Sequence, residues 1–278
     1  MYKLMLSDLD ETLLVDHHVP YFNCEAIKKA RDKGVKFVVA TGRSYNMIFD
    51  ILKEIGTYEK ENEYSICFNG ALIVENKNHR ILNFESILFE DVKELFNRAK
   101  NYDVCVLIFT LDMCYIYNAN EEEVARKIRQ KAKFKIIDEK EFELLKDQPI
   151  AKMIYQNKNI KYLKMIEDEF KEDICKRVAI SYSSNRYMEF NALNVNKGNA
   201  LSWLAKYLEI EIEDTIAIGD NYNDLEMIKR ANLGACVSSA NDDIKVIANY
   251  VTKLDYYQGA VKEVIEKFID RKSTRLNS

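Results

Sequence analysis

Short apolar runs alternate along this chain with longer stretches of mixed character. Residues 3–6, 35–40, 65–68 and 215–218 are brief, mostly aliphatic and nearly free of charge, and read as strands. Residues 25–33 and 45–55 carry apolar side chains at helical spacing, with Gly34 and Gly56 placed to close each helix. Further helices are expected over residues 197–207, 225–231, 242–248 and 260–269. Strand and helix in alternation predict an α/β fold around a mostly parallel sheet.

The pattern changes over residues 83–187. There the helices are more charged and the strands longer and alternating. Val92, Leu95, Phe96 and Ala99 mark one apolar helical face. Residues 104–109 and 114–117 read as a hairpin joined by 110–113. The expected organisation is a core over residues 1–82 and 188–269, with a second α/β domain over 83–187 inserted into it. Residues 270–278 show no apolar periodicity and match the translation of a common sequencing adapter, so they are read as a non-native tail.

Composition narrows the class. At 47% apolar residues, the 278-residue chain has ample material for packed cores. A net charge of −4, from 41 basic and 45 acidic residues, argues against binding nucleic acid through clustered positive charge. No run approaches the ~20 apolar residues of a spanning helix. Six scattered cysteines without a C-x-x-C pair read as buried thiols, which fits a reducing cytoplasm. Nothing in the chain calls for a membrane or a protein partner.

The chemistry sits at the ends of the apolar runs. Residues 3–6 lead to Asp8 and Asp10, 35–40 to Thr41-Gly42-Arg43, 65–68 to Asn69-Gly70, and 215–218 to Asp220 and Asp224. In an open parallel sheet, ligands bind beyond the carboxyl ends of the strands. Neighbouring strands would gather four carboxylates in one crevice. Like charges so gathered demand raised pKa values or a cation, and an all-oxygen donor set favours a hard ion such as Mg²⁺. Thr41, the Gly42 amide and Lys197 are suited to phosphate. Together these point to phosphoryl transfer.

Asp8-x-Asp10-x-Thr12, Thr41-Gly42-Arg43, Asn196-Lys197-Gly198 and Gly219-Asp220-x-x-Asn223-Asp224 resemble, in order, the four motifs of the haloacid dehalogenase superfamily. Their spacing, with Asn69-Gly70-Ala71, is similar to the Cof-type branch, which carries a large α/β cap on a Rossmann-like core. The resemblance implies a Mg²⁺-dependent phosphatase acting on a small phosphorylated metabolite, a sugar phosphate or a cofactor phosphate. It implies Asp8 as nucleophile, Asp10 as general acid and base, and Lys197 as the neutralising cation. Leu9, Thr41, Gly42, Lys197 and Asn223 would hold the phosphate. Asp8, Asp220 and the Asp10 backbone carbonyl would hold the metal. Thr12, Asn69 and Asp224 would support these groups. Arg43 reads equally as a substrate contact or as the structural partner of an acid. Glu11 stands where the branch commonly has Gly. A phosphomutase of related fold, or a phosphate-binding regulator without turnover, are the rival readings. His17-His18 reads as a solvated loop, since adjacent residues on a regular element cannot face one metal.

Overall fold

The computed structural model describes residues 1–130, 132–170 and 172–270. The tail read as non-native therefore lies, apart from Asp270, outside the described residues. In chain order the first strands are β1 (Leu4–Ser7), β2 (Lys36–Ala40), β3 (Tyr64–Cys67), β4 (Leu72–Glu75) and β5 (Arg80–Phe84). Then come β6 (Cys105–Thr110), β7 (Cys114–Tyr117), β8 (Phe134–Ile136), β9 (Ile150–Gln156), β10 (Val178–Ser183) and β11 (Tyr187–Ala192). The last are β12 (Thr215–Gly219), β13 (Leu233–Cys236) and β14 (Tyr250–Val251).

Two compact units result. One holds Met1–Arg43, Ile48–Asn83 and the chain from Asn196 onward; the other holds Ser44–Met47 and Phe84–Val195. The first is built on an eight-stranded sheet, ordered β14-β13-β12-β1-β2-β3-β4-β5. From β14 to β3 every pairing is parallel; β3 and β4 then pair antiparallel. All four residues of β1 and all five of β12 are buried. Burial on both faces explains why these strands are written as apolar runs rather than alternating ones. Leu4, Leu6, Val38, Ile66 and Ala217 pack against Leu201 and Leu204 of the helix Lys197–Tyr207. Each such buried aliphatic contributes about 1.5–3 kcal/mol relative to an exposed one.

The second unit has a six-stranded sheet, β10-β11-β9-β6-β7-β8, antiparallel except between β7 and β8. One face carries Val106, Ile108, Met153, Tyr155, Met188 and Phe190 onto the helices Phe89–Ala99 and Ile160–Phe170. The other face carries Cys105, Leu107, Cys114, Ile116, Ile154 and Tyr187. That is the period-two alternation expected of such strands.

Three sequence expectations differ from what is observed. The return to the first unit was placed at residue 188, but β11 pairs with both β9 and β10, so the return falls at Asn196. The helix expected over 45–55 is a 3₁₀ turn, Tyr45–Met47, and a separate helix, Phe49–Glu54, because Ile48 leaves helical φ at −112°. β4, β5, β8, β13 and β14 were not foreseen. Gly34 and Gly56 do adopt left-handed φ, 85° and 71°, at the helix ends assigned to them.

Candidate active site

Strand register aligns the chemistry. Ser7 lies opposite Ile218 on one side and Val39 on the other. The next residue, Asp8, donates its backbone N–H to the Ile218 carbonyl at 3.0 Å. The β1, β2 and β12 loops therefore leave the sheet at one level, and the β3 loop is tied to them because the Asn69 N–H donates to the Thr41 carbonyl at 2.9 Å. Lys197 enters from the first turn of its helix, whose Asn196 cap accepts from the Asn199 N–H at 2.8 Å.

Lys197 is fully buried and donates from Nζ to Asp8 Oδ1 at 2.5 Å and to Asp224 Oδ1 at 2.6 Å. Burial opposes its charge, but Asp224 and Asp8 outweigh that and hold the ammonium well above its usual range. The second Asp224 oxygen accepts the backbone N–H groups of Asp220 (3.1 Å) and Asn221 (3.2 Å). Both oxygens of Asp224 are thus committed to holding the site together. The Thr12 hydroxyl donates to Asp220 Oδ1 at 2.8 Å, across 208 residues of chain.

The remaining charge is unbalanced. Burial, then Asp224, push the Asp8 carboxyl up to about 7, despite Lys197. Burial, then Asp8 and Asp224, push Asp220 up to about 9. Carboxylate oxygens of Asp8, Asp220 and Asp224 all lie within 4.8 Å of one another. One lysine cannot neutralise three such groups, and with Asp224 engaged, Asp8 and Asp220 each retain an oxygen for a ligand. An all-oxygen, electron-rich pair of this kind fits a hard divalent cation.

The Asp10 side chain lies outside this cluster. It is more than half exposed, at 57%, and forms a two-bond ion pair with Arg43, with Nε donating to Oδ2 at 3.0 Å. Of the two readings of Arg43, pairing with an acid is the one seen here, and that acid is Asp10. Glu11 adopts φ 57°, the left-handed region, which explains why a glycine suits this position. Asn223 donates from Nδ2 to Asn69 Oδ1 at 3.3 Å. Leu9 is buried at the start of the loop, and Gly42 is close enough to Asn69 that a Cβ there would lie 3.0 Å from its Oδ1. The histidines stand apart: His18 pairs with Glu54 at 2.7 Å and His79 with Glu59 at 2.5 Å.

One contributor went unassigned in the sequence. A Cβ at Gly219 would lie 2.4 Å from Asp224 Cγ, so the absence of a side chain there lets Asp224 reach Lys197. Its signal was a glycine closing a buried strand at the head of the fourth motif, to which no role was attached. Gly219→Ala is therefore expected to displace Asp224, lower kcat/KM by on the order of 10²-fold and reduce Tm by several degrees. Steady-state kinetics with thermal melts checks this; wild-type behaviour in both would show that Asp224 has room to move.

Residues 5–265 match the family model for haloacid dehalogenase-like hydrolases. Phosphatase YwpJ of Bacillus subtilis is 27% identical over 90% of this chain and 94% of its own length. The 5-amino-6-(5-phospho-D-ribitylamino)uracil phosphatase YcsE of the same organism is 25% identical, covering 94% of each chain. The solved structure of a haloacid dehalogenase-like hydrolase from B. subtilis has a TM-score of 0.85 at 24% identity, covering 96% of this chain and 100% of the other.

Proposed function

Because the chain belongs to the haloacid dehalogenase-like hydrolases and is a phosphatase within them, we propose that it hydrolyses small phosphomonoesters with Mg²⁺ through an aspartyl-phosphate on Asp8. The observation that carries this reading is the buried Asp8–Lys197–Asp224 chain, in which the proposed nucleophile is held by a cation that is itself held from behind. Lys197 offsets negative charge where an anionic phosphate must meet an anionic carboxylate. Thr41, the backbone amides of Leu9 and Gly42, and Asn223 hold the phosphate oxygens.

In the first step an Asp8 oxygen bonds to phosphorus, the ester P–O bond breaks, and Asp10 gives its proton to the departing alkoxide. In the second, water attacks the phosphorus, Asp10 takes the water proton, and the Asp8–phosphorus bond breaks to release inorganic phosphate. The Arg43 pair holds Asp10 between steps and must open for the proton to be delivered. Asp8, Asp220 and the Asp10 carbonyl would hold Mg²⁺, which when bound neutralises phosphate and carboxylate charge.

The second unit is proposed as the part that selects the leaving group. A relative named for a phosphorylated ribityl substrate puts polyol and sugar phosphates, with cofactor phosphates, first on a substrate panel. All six cysteines are free, which supports a cytoplasmic setting.

The test is phosphate release from an aryl phosphate and from that panel, in Mg²⁺ and in chelator. Turnover that requires Mg²⁺ is expected. An undiminished rate in chelator would remove the metal from the reading, and no turnover on any member would remove hydrolysis.

A further inference from the structure

The turn after β3 is strained in an unusual way. Phe68, Asn69 and Gly70 take φ of 50°, 58° and 108°, three left-handed residues in succession. A bulky, fully buried Phe in that region is costly, and such strain persists only where surrounding structure imposes it. Here the surroundings are three other loops. Phe68 and Asn69 donate their N–H groups to the Arg43 and Thr41 carbonyls at 3.0 and 2.9 Å, bracketing Gly42. Gly70 presses on the cap of the Lys197 helix, since a Cβ there would lie 2.5 Å from the Asn196 carbonyl oxygen. Asn69 Oδ1 accepts from Asn223.

We propose that Asn69 is a positioning residue: its left-handed backbone aims its side chain so that it fixes Asn223, and through Asn223 the phosphate. The inference rests on the phosphatase reading above. Asparagine is one of few residues that tolerates this conformation while carrying an acceptor. The side-chain role can therefore be separated from the backbone role. Asn69→Gly keeps the backbone conformation and deletes the acceptor. Asn69→Ala deletes the acceptor and also opposes the conformation.

The experiment is a double-mutant cycle of Asn69→Gly with Asn223→Ala, read by KM, kcat and the calorimetric affinity for inorganic phosphate in Mg²⁺. Asn69→Gly is expected to raise KM and weaken phosphate binding about tenfold, with kcat changed less than about threefold. Added to Asn223→Ala, it is expected to cost less than about twofold more. Its Tm should stay near wild type, while Asn69→Ala melts lower. Unchanged KM and phosphate affinity in Asn69→Gly would overturn the proposal, as would a tenfold loss repeated in full in the Asn223→Ala background. The binding arm does not depend on turnover. A wild type that binds phosphate and hydrolyses nothing would sink the phosphatase reading alone, with the cycle still decisive. A wild type that binds no phosphate would overturn both.

Discussion

Asp8→Asn is expected to lower turnover by at least about 10⁴-fold while leaving the chain folded. The substituted amide keeps an oxygen where Lys197 now donates, so the buried ammonium retains a partner on that side. What disappears is the proposed nucleophile. A phosphoryl adduct visible by intact mass in quenched wild type should be absent from the variant. Residual turnover within tenfold of wild type would exclude Asp8 from the covalent role. The same variant carries a pH signature. In the metal-free protein, Asp8 sits near 7 and Asp220 near 9, against 3.8 for an ordinary aspartate. The folded chain thus keeps protons that the unfolded chain has released. Its stability is greatest below about pH 4 on account of these two groups, and falls as pH rises through 7 and then 9. Asp8→Asn removes the first of these groups and the repulsion it exerts on Asp220. Melts in chelator at about pH 5.5 and 8.5 should therefore differ less for the variant than for wild type. An equal or larger difference would mean the burial strain lies elsewhere.

Lys197→Met should be the most destabilising single change in the site. It leaves Asp8 and Asp224 buried with no cation between them, and removing one member of a buried ion network costs about 3–5 kcal/mol. For a chain of this length, Tm should fall by on the order of 10 °C at neutral pH in the absence of metal. Activity should fall by about 10²–10³-fold or more. Adding Asp224→Asn removes the second uncompensated charge and should restore much of the Tm without restoring activity. A single variant with wild-type Tm would show that the two acids are not charged together. A double variant no more stable than the single would show that the lysine's packing, rather than its charge, matters.

Asp8, Thr41, Asp220 and Asp224 could be placed together from the sequence because a sheet covered on both faces writes its strands as apolar runs, whereas Lys197 opens a helix and was named through the motif resemblance. The first polar residues after each run must then lie at one edge. The partners of those residues were less visible. The Thr12–Asp220 bond and the Arg43–Asp10 pair join distant parts of the chain, and neither follows from motif order. β13 was missed because Leu-Gly-Ala-Cys has little strand character. Its glycine is there for closeness: a Cβ on Gly234 would lie 2.0 Å from the Ile228 carbonyl oxygen. The limit at 188 failed because β11 carries the buried polar residues Glu189 and Asn191 within its alternation, and only pairing with β9 and β10 assigns it to the second sheet.

The position of β1 between β2 and β12 bears on how the protein is made. Asp8 and Lys197, which meet in the folded chain, are synthesised 189 residues apart. At roughly 5–20 residues per second, that is a wait on the order of 10–40 s. During that time β1 has β2 beside it but no neighbour on its other edge. The Phe84–Val195 unit is complete before the strand that fills that gap has been synthesised. A nascent chain of this protein therefore holds a finished globule and an open, apolar sheet edge at once, which is the state in which a holding chaperone matters most.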